Sequence, residues 1–315
     1  MGRLPYYARL AIESAATVMP DAEITLHVHG GVNRNVHVER LERTTPVTIN
    51  EICVPELFEQ CNAGADPYVR LIGRLTSPAA ISNLLRLAIL YRDGGVYLDT
   101  DIVMIRPLHD PADHGSFVGR EWVWEQNRRR VAGVRSTRDR MDVGTWAADW
   151  ALRRLDSRLA RGAWGIASRP PDPQRSRLQV NNAVIGARPG SRFVASALDA
   201  ALDVDPTVRF ALGPTLLDDV ARAGLRDVQL LPPSRFYAVP PAHSFRYFED
   251  ETLELPCDAQ ILHVVASNHR RLLDRLDESD PRFERSAAPY WRHGRAVRAA
   301  SHQRRVRTTV AVGGR

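Results

Sequence analysis

Lysine is absent: the 43 basic side chains among the 315 residues are all arginine. Eight of these lie from Arg285 onward, and no Asp or Glu follows Glu284. The rest of the chain then holds 35 Arg against 37 acidic residues, so the formal charge of +6 belongs to the C-terminal end. A body near −2 has no broad basic face of the kind nucleic-acid binding needs, and no nucleic-acid motif accompanies the tail. Cysteine is scarce as well. Cys53, Cys61 and Cys257 are odd in number and lack metal-ligand spacing, which excludes a disulfide framework and a zinc site and reads as inert thiols in a reducing compartment. No apolar run approaches the length of a membrane span, and nothing at the start reads as a signal peptide, so a cytoplasmic location is the expectation. Internal repeats are lacking too. What is present, 44% hydrophobic and 25% charged residues, is ordinary globular composition.

The most informative stretch is Ser77 to Leu108, SPAAISNLLRLAILYRDGGVYLDTDIVMIRPL. Ser77 and Pro78 read as a helix cap and first helical position. Apolar residues at Ile81, Leu84, Leu85, Ala88 and Ile89 give a helical stripe, and Gly94-Gly95 stop the helix. Val96 to Leu98 read as a strand, and Ile102 to Ile105 resume the β pattern. Between them, the period of a strand puts Asp99 and Asp101 on one side of the chain. Two carboxylates so placed call for a cation between them, and a hard divalent ion with carboxylate and phosphate ligands fits. Asp203-Val204-Asp205 repeats the spacing but precedes Pro206 after a helical pattern, and reads as a solvated loop. Leu87 and Leu90 make the helix apolar nearly all round. Asn83 and Arg86 therefore need partners: a sugar's hydroxyls, or an internal salt bridge from Arg86.

In order, Ser82-Asn83-Leu84-Leu85-Arg86 and Gly94-Gly95-Val96-Tyr97-Leu98-Asp99-Thr100-Asp101 resemble the shared core of glycosyltransferase family 32, the enzymes with a DXD sugar-binding region. Members include α-1,4-galactosyltransferase, the fungal initiating α-1,6-mannosyltransferase and the glucosyltransferase domains of clostridial toxins. Asn83 departs from the family, which usually has Asp there. Further along, Asn181-Asn182-Ala183-Val184-Ile185-Gly186 resembles the family's second core strand, and Gly213-Pro214-Thr215 its G-P-x-x-L segment. Phe236-Tyr237-Ala238-Val239-Pro240 resembles its F-Y-P-x element. Ile261-Leu262-His263-Val264 carries a His in the family position. Ser267-Asn268-His269 stands where relatives often carry Ser-Trp.

Elsewhere the pattern gives a helix over Tyr6 to Val18, a strand over Glu23 to Val28, and further β signal at Val36–Val38 and Val47–Ile49. Cys53 to Cys61 reads as a short helix and Phe117 to Gly119 as a strand. Residues about 121–178 look like an insertion holding five of the six tryptophans, with a helix from Thr145 to Ala160. Those tryptophans either pack the insertion onto the body or stack on sugars. Later elements are a helix from Ser191 to Leu202, a helix ended by Gly224, and a strand over Val228 to Leu231.

The expectation is an α/β chain of GT-A type, with residues 1–284 as the transferase domain and 285–315 as an Arg-rich disordered tail. The strand that precedes the first helix in the resembling family is not found in this sequence. The resemblance implies metal-dependent, retaining hexosyl transfer from a nucleotide sugar, a UDP-hexose before GDP-mannose, to an acceptor hydroxyl. It makes Asp101 the ligand of Mn²⁺ or Mg²⁺, Asp99 a ribose or donor-sugar contact reaching the metal through water, and His263 a metal or phosphate contact. Asn83, Arg86, Asn181 and Asn182 would grip the donor sugar, and His263 and Ser267 would approach the diphosphate. Two alternatives are a nucleotide-sugar-binding module without activity, and an interaction protein whose Arg-rich end meets acidic lipid headgroups at the membrane surface.

Overall fold

The computed structural model describes residues 3–31, 33–108, 115–124, 137–160, 164–166, 176–206, 208, 210–224 and 227–312. Its class is mixed α/β, as expected. Helix α1 (Tyr6–Val18) leads into β1 (Ile24–Val28), α2 (Val36–Thr44) and β2 (Val47–Glu51), and β1 and β2 pair in parallel. Among the described residues no strand precedes α1. Helices α3 (Val54–Phe58), α4 (Ala65–Arg74) and α5 (Pro78–Asp93) follow, then strands β3 (Gly95–Leu98), β4 (Ile102–Met104) and β5 (Ser116–Trp124). Helix α6 (Thr137–Leu159), strand β6 (Ser176–Ala187), helices α7 (Arg192–Ala201) and α8 (Leu216–Arg222), and strands β7 (Val228–Leu231) and β8 (Ile261–His263) complete the main elements. A last helix, Pro289–Val312, closes the chain.

The central sheet has the order β3-β6-β5-β7, antiparallel except for β5 with β7. Alternation along its strands gives it two apolar faces. Val118, Ile185 and Ala187 join the core built with α5 and α7, while Phe117 and Val184 join Phe236, Tyr237 and residues of β4 and β8. β4 and β8 form a separate antiparallel pair with Ile102 opposite His263. α5 is buried from Leu84 to Leu90, which fits its lack of a polar face. Its end is fixed by Gly94 at φ 69°, where a Cβ would lie 2.5 Å from the Pro189 ring, so only glycine serves.

Three local expectations are corrected. Val36–Val38 is not a strand but the first turn of α2, because the Asn35 side chain accepts from the backbone N–H groups of His37 and Val38, each at 3.1 Å. Ser77 starts α5 only through its carbonyl, which accepts from Ile81 at 3.1 Å; its hydroxyl makes no cap bond and Pro78 supplies the pre-set φ. The segment after Glu284 is not a detached tail over its first half. Tyr290 and Trp291 are fully buried, the Trp291 indole donates to the Phe248 carbonyl at 2.9 Å, and burial extends to Ser301. These aromatics pack with Tyr6 of α1 and with Phe248 and Phe283 in one buried cluster.

The supposed insertion is anchored at both ends by the sheet, since β5 runs on to Trp124 and pairs with β6 up to Ser176. α6 begins earlier than expected and docks by polar contacts of Arg154 and Arg158 on Glu249, while Arg153 pairs with Asp149 within the helix. Of the tryptophans, Trp124 is buried and Trp150 meets Phe245 edge-on, which favours packing; Trp164 is exposed. The Trp146 side chain and the runs Arg128–Arg130 and 168–173, apart from the helix backbone at 146, lie outside the described residues.

Candidate functional site

Asp99 and Asp101 do not lie on one continuous strand. The chain turns between β3 and β4, with Ile102 N–H donating to the Asp99 carbonyl at 3.1 Å, and the two side chains acquire different partners. Asp99 Oδ1 takes a hydrogen bond from the Tyr97 hydroxyl at 2.8 Å and an ion pair from Arg86 at 3.0 Å. Asp101 Oδ2 accepts from Ala266 N–H at 2.8 Å, while its carbonyl accepts from Val264 at 3.2 Å. The loop after β8 is thus tied to the motif at two points. Between them Val265 sits at φ 50°, a conformation a β-branched residue rarely adopts, held there by these bonds.

Arg86 is 5% exposed and bound mainly by the protein itself. It donates to the Asn182 carbonyl at 2.5 Å, to Ser82, and to Asp99, and its guanidinium lies over the Tyr97 ring at 4.4 Å. The internal salt bridge is the reading the structure supports rather than a direct grip on a sugar, because the guanidinium is buried and four of its five N–H donors are spent on Ser82, Asn182 and Asp99. Burial pushes the Asp99 carboxyl above its ordinary value; Arg86 pulls it down and Asp101 adds to the rise.

Asn181 and Asn182 separate as strand alternation requires. Asn182 donates to the Asn83 side-chain oxygen at 2.8 Å, and both are half-buried at the edge of the site. Gly213 backs this pair so closely that a Cβ would stand 2.8 Å from Asn83 Nδ2. Asn181 turns the other way, is buried, accepts from Ala183 N–H at 2.7 Å and bonds Glu121, so it is not placed to touch a donor sugar. Ser267 is exposed on the turn that Asp101 holds.

His263 Nε2 stands 3.8 Å from Asp101 Oδ1, an oxygen that is buried and has no hydrogen-bond partner among the described residues. These two groups are close enough to approach one cation, and a hard cation bound through few protein groups would keep room for phosphate and water. Asp99 does not join them, being turned to Arg86. Among the described residues no group of three His, Cys, Asp or Glu is arranged to hold a metal. Of the expected set of Asp99, Asp101 and His263, the structure brings Asp101 and His263 together.

Residues 5–118 match the family model described as glycosyltransferase sugar-binding region containing DXD motif. The span includes Asn83, Arg86, Asp99 and Asp101 and ends within β5. The likeness is confined to that stretch of the 315 residues. Among solved structures, one titled PaToxG Glycosyltransferase aligns over 94% of this chain and 83% of its own at 13% identity, with a TM-score of 0.41. No curated protein matches the sequence.

Two buried residues near the motif were not singled out as site candidates by the sequence pattern. Glu121, on β5, is 5% exposed; burial raises its carboxyl above the ordinary value, against His263 and the Asn181 hydrogen bond. Tyr237, also buried, accepts from Val184 N–H at 3.1 Å and meets the His263 ring edge-on at 5.5 Å. An acidic residue in the middle of the strand SFVGREWVW, beside Arg120, was the available signal for Glu121.

Proposed function

We propose that this glycosyltransferase, of GT-A type, moves a hexose from a UDP-sugar to an acceptor hydroxyl with retention of configuration, using Mn²⁺ or Mg²⁺. The observation that carries the metal requirement is the orphaned, buried Asp101 Oδ1 facing His263 Nε2 at 3.8 Å. A divalent cation there supplies positive charge to a departing diphosphate. Asp101 and His263 hold that charge in place, and Ser267 offers a hydroxyl beside it. Arg86 and Tyr97 fix Asp99 so that its free oxygen faces the ribose or donor sugar without rotating away. Asn83 and Asn182 present amide groups to the sugar from the edge formed with Gly213. No side chain of the site is set out as a general base, which suits a mechanism in which the leaving phosphate accepts the proton.

A thermal-shift panel of UDP-glucose, UDP-galactose, UDP-GlcNAc and GDP-mannose, with and without Mn²⁺, tests the reading. A donor near 100 times its dissociation constant stabilises by about 2.7 kcal/mol. A shift that appears with a UDP-sugar only when Mn²⁺ is present supports the proposal, and the absence of any shift overturns it. Donor turnover then separates a transferase from a binding module.

A further inference from the structure

We propose that the outward face of α6 is a docking surface for an anionic lipid bilayer, on which the helix lies flat. The two faces of α6 are inverted relative to an ordinary surface helix. On the inner one Arg153 and Asp156 are buried, Trp150 meets Phe245 edge-on at 6.1 Å, and Arg154 pairs with Glu249 at 3.0 Å. The helix packs there on the short helical turns Pro241–His243 and Arg246–Glu249. The outer face carries Ala148, Leu152, Leu155 and Leu159, spaced four, three and four apart, which sets them in one stripe. All four are exposed, the leucines at 52%, 47% and 71%. A single exposed leucine needs no explanation; three in register, on a helix that turns its charges inward, mark an interaction face. Just past the end of α6 the Trp164 backbone N–H donates to Asp156 Oδ1 at 3.0 Å, and the Trp164 side chain adds to the apolar surface at 58% exposure.

Charge selects the occupant. Residues 125–175, between β5 and β6, hold 12 Arg against six Asp and Glu, a net +6. Residues 1–124 and 176–284 together hold 23 Arg against 31 acidic residues, a net −8. A leucine stripe with a neighbouring tryptophan, carried by a basic segment of an otherwise acidic body, suits a helix that rests in an anionic headgroup layer. A second copy on the same face would instead bring two segments of net +6 together.

The test is vesicle flotation of the full chain with phosphatidylcholine alone and with about 30% phosphatidylserine added, at low and at physiological salt. Binding to the anionic vesicles only, weakened by salt, is expected. Leu152→Gln, Leu155→Gln and Leu159→Gln made together are expected to lower the partition coefficient by about tenfold or more, because the stripe loses the apolar phase it enters. Leu159→Glu alone, at the most exposed of the three, should act in the same direction and carries the test if the triple variant fails to fold. Arg304→Gln, Arg305→Gln and Arg307→Gln made together in the C-terminal helix should lower binding less, and a larger loss there than in the leucine variants overturns the inference. Wild-type binding by folded leucine variants, or no binding of the wild type to anionic vesicles, also overturns it. So does a wild-type dimer in light scattering that the leucine changes convert to a monomer, which would assign the face to a second copy.

Discussion

Arg86 stands 3.0 Å from Asp99, and the pair joins the buried helix before the motif to the first carboxylate of the motif. The two aspartates are therefore not equivalent. One is neutralised inside the protein, whereas the other keeps an oxygen without a partner.

Replacing Arg86 tests the first half of that statement. Arg86→Met strands Asp99 and the Asn182 carbonyl, and stability is expected to drop by about 3 kcal/mol, the low end for a broken buried pair because Asp99 remains 28% exposed. Chemical denaturation measures it. Sugar-donor binding should weaken only as far as Asp99 loses its orientation, so an unchanged denaturation midpoint would mean that the pair does not stabilise the fold.

Asp101→Asn preserves the acceptor for Ala266 N–H, so the metal-free melting temperature should move little. Mn²⁺-dependent stabilisation by a UDP-sugar should vanish. Asp203→Asn, at an exposed position after α7, is the control and should alter neither quantity. Retained metal-dependent stabilisation in Asp101→Asn would show that Asp101 acts only as the anchor of the loop after β8.

The C-terminal helix gives a third expectation. Truncation after Glu284 removes Tyr290 and Trp291 from the second core and should leave a chain without a cooperative melting transition. Removal of residues 304–315 alone should preserve it. Trp291→Ala should cost about 3–5 kcal/mol, as truncation of a fully buried aromatic does. A truncation at Glu284 that melts like the full chain would place these aromatics outside the core.

The pH response follows from two histidines. Burial, with Arg154 nearby, lowers His269 from 6.5 to about 4, and burial with Arg292 and Arg106 lowers His293 to about 4. The unfolded chain takes up these protons first as pH falls, so stability should decline between pH 6.5 and 4. His269→Gln should flatten that decline in a series of melting curves. An equally steep decline in the variant would locate the effect elsewhere.

The unit from α5 to the motif was legible in the sequence because its determinants are local: the spacing of Leu84, Leu85 and Ala88, the proline at the start, and two glycines that alone accept the backbone at the end. The class of the fold and the position of His263 opposite the motif were legible for the same reason, as ordered short patterns. Three features were not. Val36–Val38 looks β by composition, but Asn35 caps it into a helix. The Arg-rich end looks solvated by charge, but Tyr290 and Trp291 pack with Tyr6 and Leu10 of α1, far away in sequence, and with Phe248 and Phe283. The two aspartates look alike by spacing, yet Arg86 and Tyr97 take one and the loop after β8 takes the other. Each of these outcomes is set by partners distant in sequence, and burial decides which of them a polar or charged group must accept. The sequence by itself determined which groups of the site exist; only the tertiary structure decided which of them are already satisfied and which are left open for a ligand.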